Sequence, residues 1–583
     1  MTSKPSTLLA LALAAFAADV PARAQDPADA KLFPAGYLDH GALTAALRKA
    51  AEANPGRVAV RSLGKSVEGR DVWLATVGGP EAGKPATKPA VLVVANLEAD
   101  HVVGSQVALK FVETLAAAKG KDADWLDRVT LYIVPRLNPD GAERLLKGSP
   151  AAEIRGNLRP LDRDRDGKAA EDGPDDLDGD GVVTRVRFKD PVKPTLMPDE
   201  KDPRILRKAD PAKGERAEYS EEPEGKDDDG DGPRNEDPPG GVNINRNWPH
   251  KWTEFDLEAG SSPASEPETR ALIAFAFEHP EIAAVWSLGL NDNLRDEPKK
   301  PGSDLDDADL PVVVALSKAY RKAALPKDPP KGSPAPGATS DGAFSEWAYH
   351  QLGAVGLASR VWSVPEVPAP PAAKEADAPK GQEKAKDKDK EKEPAKPPAV
   401  PEDGEARWLY WNDKVVGGRA FVPFRSFDHP TLGKVEIGGW RPGVRLNPPS
   451  GQVGAIADAH FAFLSDLAGR LPRLAVPVLE VEAKGGGVFA VRAVVENQGE
   501  LPTALAQGVK TRRGLPVLVR LDPAGADLKV LSGKALERID ALPGSGGRRE
   551  FRWLLLAPKG LGRASLAVSC PRAGRVVMPL ARP

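Results

Sequence analysis

The chain has a single cysteine, Cys570, in 583 residues. No intrachain disulfide can form, so stability has to come from core burial or bound ions. Cys570 itself reads as a buried strand-end thiol rather than a reactive one. The formal charge is only −3, which excludes a global pull toward nucleic acid or an anionic membrane surface. Beyond the N-terminus no apolar run is long enough to span a bilayer. The histidines are also few, seven in all (40, 101, 250, 279, 350, 429 and 460), which limits the imidazole metal sites available. With 41% hydrophobic and 28% charged residues the composition is that of an ordinary globular protein, too long for one core.

What is present begins with a targeting pattern. Lys4, the apolar run Leu8 to Ala18 and the Ala22-Arg23-Ala24 triplet form the three regions of a secretory signal. The expectation is a signal peptide over 1–24 and a mature chain that is secreted or periplasmic.

From about Tyr37 helical and strand patterns alternate. Val91 to Ala95 and Val129 to Val134 read as strands buried on both faces, with a helical period over Ser105 to Ala118 between them. An α/β domain is therefore expected over 25–472, with two interruptions. One, over 155–240, is rich in Asp and Gly. The other, over 365–405, is Pro/Lys/Glu-rich and cannot bury enough apolar area to offset its ordering entropy. After residue 472 short alternating strands separated by turns such as Gly485-Gly486-Gly487 predict an immunoglobulin-like β-sandwich over 473–583.

The Asp-rich stretch repeats one spacing three times: Asp162, Asp164 and Asp166; Asp176, Asp178 and Asp180; Asp227, Asp229 and Asp231. Carboxylates at alternate positions before a turn-forming Gly gather oxygens around one point, as Ca²⁺ requires. The twelfth positions are Gly173, Arg187 and Pro238, so none completes an EF-hand loop. Structural Ca²⁺ is the expected cofactor.

Chemistry is most concentrated at Asn96-Leu97-Glu98-Ala99-Asp100-His101, just past the carboxyl end of a central strand, where open α/β sheets bind ligands. Pro135 to Gly141 contains N-P-D-G, and Gly241 to Trp248 reads G-V-N-I-N-R-N-W. Ser287 to Asn291 and Ser359 to Trp362 follow in order. Together these segments, over roughly 37–472, resemble the zinc carboxypeptidases of the carboxypeptidase A type. The resemblance implies an α/β fold built on a mixed sheet of the eight-stranded carboxypeptidase kind flanked by helices. It also implies a Zn²⁺ held by two His and one Glu, a Glu general base, an oxyanion Arg, and an Asn-Arg pair that grips a C-terminal carboxylate.

Transferred position by position, the family pattern is altered. Glu98 and His101 are the first ligand pair in exchanged order, and the third ligand's position is Gly289, with Asp292 a nearby substitute. The general base's position is Arg360, a permanent cation able to pair with Glu98. Asn245 and Arg246 match the carboxylate clamp, and Arg155 or Arg159 falls where the oxyanion arginine belongs. Three readings follow. The first is a pseudopeptidase that keeps a pocket for a peptide or other carboxylate-bearing ligand and does not hold Zn²⁺. The second is a working metallocarboxypeptidase with a rebuilt site. The third is a calcium-stabilised surface or adhesion protein.

Overall fold

The computed structural model describes residues 31–78, 88–120, 124–162, 166–230, 232, 234–235, 240–296, 304–326, 338–363 and 404–580. The expected signal peptide, Asp164, Asp231 and all but the last two residues of the 365–405 segment lie outside the described residues. Among the described residues no helix is long and apolar enough to cross a membrane.

A mixed six-stranded sheet forms the centre, in the order Val58–Lys65, Asp71–Val77, Thr130–Val134, Ala90–Ala95, Ile282–Leu288, Val355–Ser359. The first two strands form an antiparallel hairpin and the last four run parallel. Every residue of Ala90–Ala95 and of Ile282–Leu288 is buried. These runs are continuously apolar because helices cover both faces of the sheet. On one face lie the helices His40–Ala53, Val102–Ala117, Leu310–Ala324 and Val453–Arg470, packed around Trp286, Phe111, Tyr320 and Phe463. On the other lie Pro267–Glu278 and the turns around Trp248, Phe344 and Trp347.

The expected eight-stranded sheet is corrected to six strands among the described residues. The hairpin Phe421–His429/Gly433–Trp440 does not return to the central sheet. It pairs instead with Arg185–Lys189 inside the Asp-rich stretch, setting Ile437 opposite Val186. Val186, Val435 and Ile437 bury one another there, and that burial gives the hairpin its partner. The stretch is therefore not only a loop: it contributes four strands to a second six-stranded sheet.

Residues 474–580 form two four-stranded antiparallel sheets around one core that includes Phe551, Trp553 and Cys570. This module is tied to the α/β domain by buried polar contacts. Asp309 accepts hydrogen bonds from the amides of Ala506 (2.8 Å) and Gln507 (3.0 Å) and from the Tyr349 hydroxyl (3.0 Å). Arg572, also buried, donates to the Leu352 and Gly353 carbonyls.

Candidate active site

The parallel register brings three chain segments side by side. Ala95 lies opposite Leu288, and Leu288 opposite Ser359, so the strands end together. The next residues outward are Asn96 to His101, Gly289 and Arg360. Asn96 takes a left-handed turn (φ 56°), a conformation Asn tolerates, and its amide nitrogen donates to the Glu98 and Ala99 carbonyls. This bend folds the Glu98 to His101 loop back over the strand ends and leads into the helix starting at Val102.

Glu98 is 2% exposed. Its Oε1 accepts from Asn245 Nδ2 at 2.7 Å and its Oε2 from the Leu290 amide at 3.4 Å. Burial, with the neighbouring Asp100 charge as a smaller contributor, raises its pKa above the ordinary carboxyl range. A Cβ added at Gly289 would lie 2.8 Å from Glu98 Oε2, closer than real Cβ contacts come. The Glu98 carboxylate thus takes the room that a side chain at position 289 would need. The expected Glu98–Arg360 ion pair is corrected: among the described residues Glu98 is held by the neutral donors Asn245 and Leu290, and the carboxylate whose charge acts on Arg360 is Asp292.

His101 is 1% exposed, and neither ring nitrogen makes a hydrogen bond of normal geometry. Burial first, and then the Arg360 charge, push its pKa down to about 3, so the ring is neutral. Asp292, the substitute ligand considered from sequence, has both oxygens engaged by backbone amides, those of Leu294, Arg295 and Arg360 at 2.8 to 3.2 Å. It staples the loop after the Ile282–Leu288 strand. Among the described residues no group of three clustered metal donors includes Glu98, His101 or Asp292.

The G-V-N-I-N-R-N-W segment forms a 3₁₀ turn, Ile244–Arg246, started by Asn243, whose side chain accepts from the Asn245 amide. Asn245 is turned inward: besides donating to Glu98 it accepts from the Phe344 amide at 3.0 Å, and it is 4% exposed. Arg246 is ion-paired with Asp256 and with Glu258. Arg155 donates to Asp100 Oδ2 at 2.9 Å, within the Glu98 to His101 loop, whereas Arg159 pairs with Glu266 at 2.7 Å. In the N-P-D-G segment, Asn138 caps the helix Pro139–Lys147, and a Cβ at Gly141 would meet the Gly156 carbonyl at 2.1 Å.

A cleft of about 280 Å³ opens beside Arg360, lined among others by Asn291, Asp292, Arg295, Ser340, Glu346 and Ser363. Two residues that sequence reasoning missed shape the loop above it. Asn447 accepts from the Val103 amide and donates to the Asp100 carbonyl, both at 2.8 Å, across more than 340 positions of chain. Asp100, 2% exposed, anchors Arg155. Asp100 stood inside the motif and carried a readable signal, but nothing local marked Asn447.

Of the Asp repeats, Asp227 and Asp229 gather with Asp172, while Asp176 and Asp178 gather with Glu224; in each group the carboxylates lie within 4.8 Å of one another. Asp162, Asp166 and Asp180 join neither group. Glu224 and Asp172 are fully buried; Asp172 belongs to the acidic pair Glu171-Asp172 that follows the first repeat, whereas Glu224 was not among the sequence candidates. Glu224 accepts from the Leu177, Asp178 and Thr184 amides and the Thr184 hydroxyl, which fixes where the neighbouring aspartates stand.

A family model for zinc carboxypeptidases matches residues 43–171 and 214–355, the segments that carry the strand ends at Ala95 and Leu288 and the 3₁₀ turn. The α/β domain belongs to the zinc carboxypeptidase-like family. A separate model, described only as a domain of unknown function, matches residues 473–580. Carboxypeptidase M of Mus musculus is 33% identical over 91 residues, 15% of this chain and 20% of that protein. Carboxypeptidase D of the same organism is 34% identical over 155 residues, 22% of this chain and 11% of that protein. The chain thus spans a small part of the curated relatives it matches. Among solved structures, thrombin activatable fibrinolysis inhibitor aligns at a TM-score of 0.35 and 14% identity over 55% of this chain and 67% of that one.

Proposed function

We propose that the α/β domain is a carboxypeptidase-family pseudopeptidase that binds a peptide C-terminus or another carboxylate without cleaving it. The observation that carries this reading is the Glu98 carboxylate lying where a side chain at position 289 would stand. A zinc site of the family kind needs three side-chain donors with a fourth position left open. Here one donor position is Gly289, Glu98 is held by Asn245, and the cation Arg360 sits close enough to depress the pKa of His101. The donors present do not fit that metal. Arg360 also cannot serve as a proton acceptor at working pH.

Asn245 and Arg246 are engaged within the protein, so a ligand carboxylate is better served by the cleft beside Arg360. Arg295, Ser340 and Asn291 line it, with Arg295 donating to the Ser363 hydroxyl and Asn291 to the Thr339 carbonyl, and a guanidinium fork matches a carboxylate. A second reading, a rebuilt metallopeptidase site, draws on one observation: two buried ring nitrogens of His101 that make no normal hydrogen bond, as an absent ion would leave them. We further propose that Ca²⁺ occupies the two carboxylate groups built on Asp172 and Glu224 and holds the Asp-rich stretch to its sheet.

Metal analysis of the purified chain together with peptide assays decides between the first two readings. The pseudopeptidase predicts no stoichiometric Zn²⁺, no hydrolysis, and binding of free-carboxylate peptides in preference to their C-terminal amides. Stoichiometric Zn²⁺ with hydrolysis abolished by His101→Ala would overturn it.

A further inference from the structure

The amino ends of the central strands, at the opposite edge of the sheet from the strand ends described above, border a second cleft of about 380 Å³. It lies between the α/β domain and the C-terminal module. Lys88, Trp125 and Arg128 come from the segments before Ala90–Ala95 and Thr130–Val134. Arg473 comes from the connector after the helix Val453–Arg470, and Arg575 from the last strand, Gly574–Pro579. Asp127 is the one acidic residue of the lining.

A local excess of positive charge therefore stands on a chain whose net charge is −3. Lys88 Nζ is fixed in the wall by the Gly78 and Leu126 carbonyls, each at 3.0 Å. The side chains of Arg128, Arg473 and Arg575 are exposed and make no ion pair or hydrogen bond among the described residues. Neighbouring arginines behave differently: Arg470 pairs with Asp466 and Glu500, and Arg492 with Glu480 and Glu550. Three exposed guanidinium groups with no protein partner among the described residues border one cleft with a single acidic residue, so the cleft carries a positive potential that attracts anions. Trp125 supplies an apolar wall on which the body of a small molecule can rest.

We propose that this interdomain cleft binds a small polyanion, a molecule carrying two or more phosphate or carboxylate groups. The volume suits a small ligand. The planar forks of the three arginines suit oxyanions, and their spread over both domains and the connector requires more than one anionic group. A ligand held there bridges the domains, so it stabilises their docking by mass action.

The test uses the full chain with tripolyphosphate and citrate as probes, by calorimetric titration and thermal melting, against sodium chloride at matched ionic strength. The expected result is saturable binding and a melting temperature that rises with probe concentration. Tighter tripolyphosphate assigns phosphate as the recognised group, and tighter citrate assigns carboxylate. The double variant Arg473→Ser/Arg575→Ser should weaken binding about 100-fold, since one charge-assisted contact is worth about tenfold. Arg563→Ser, an exposed arginine outside the cleft, should leave binding unchanged. Because the cleft arginines are exposed, the ligand-free melting temperature of the double variant should match the parent. Absence of saturation, equal binding by the double variant, or a shift reproduced by sodium chloride would each overturn the proposal.

Discussion

Replacing Glu98 by Gln separates a metal-free site from a metal-bearing one through stability alone. The Glu98 carboxylate is buried with one short hydrogen bond from Asn245 and one long one from Leu290, and Arg155, whose charge acts on it, is directed at Asp100. Burial raises its folded-state pKa, so the folded protein holds a proton there that the unfolded chain has already lost. Stability therefore falls as pH rises from the unfolded value, about 4.3, to the folded one, at about 1.4 kcal/mol per pH unit between them. Gln keeps the volume and an oxygen that can accept from Asn245, and it removes the charge. Glu98→Gln should match the parent near pH 4 and exceed it by about 1–3 kcal/mol at pH 8, the usual relief for a buried, incompletely paired ionic group. Urea unfolding followed through the buried Trp248 and Trp286 at a series of pH values measures the difference. A variant less stable than the parent at pH 8 would refute the reasoning. It would mean that a cation lies against Glu98, as in a metal-bearing site.

Asp309→Ala should cost about 3 kcal/mol by leaving three donors unmet at the domain contact, and proteolysis of residues 474–580 should accelerate. His460, buried between the Tyr320 hydroxyl and the Ile456 carbonyl, has its pKa lowered from 6.5 to about 4. The unfolded chain takes up that proton first, so about 3 kcal/mol should be lost as pH falls from 6.5 to 4, and His460→Gln should flatten the slope of stability against pH over that window. Ca²⁺ at a hundred times its dissociation constant should add about 2.7 kcal/mol per occupied site, and Asp178→Asn or Asp229→Asn should each remove part of the rise in melting temperature.

Much of the central sheet is legible from local pattern. Val91 to Ala95 announces a doubly buried strand because only such a strand is apolar at every position, and the following loop then has to lie at its carboxyl end. The hairpin over 421–440 was not assignable, because its alternation is the same whether it extends the central sheet or the second one. Which sheet it joins depends on Val186, about 250 residues earlier in the chain.

By itself the sequence determined that Glu98, His101, Gly289 and Arg360 are the residues in play, since side-chain chemistry is a property of residue type. Only the tertiary structure decided what they do to one another. Strand register sets Gly289 against the Glu98 carboxylate, Asn245 turns inward to hold it, and Arg246 is taken by Asp256 and Glu258. The same holds for the Asp-rich stretch, where spacing pointed to a cation but packing set Asp172 beside Asp227 and Asp229 and brought Glu224 to Asp176 and Asp178. Partner choice in each case is a matter of distance between residues far apart in the chain, and no local pattern encodes it.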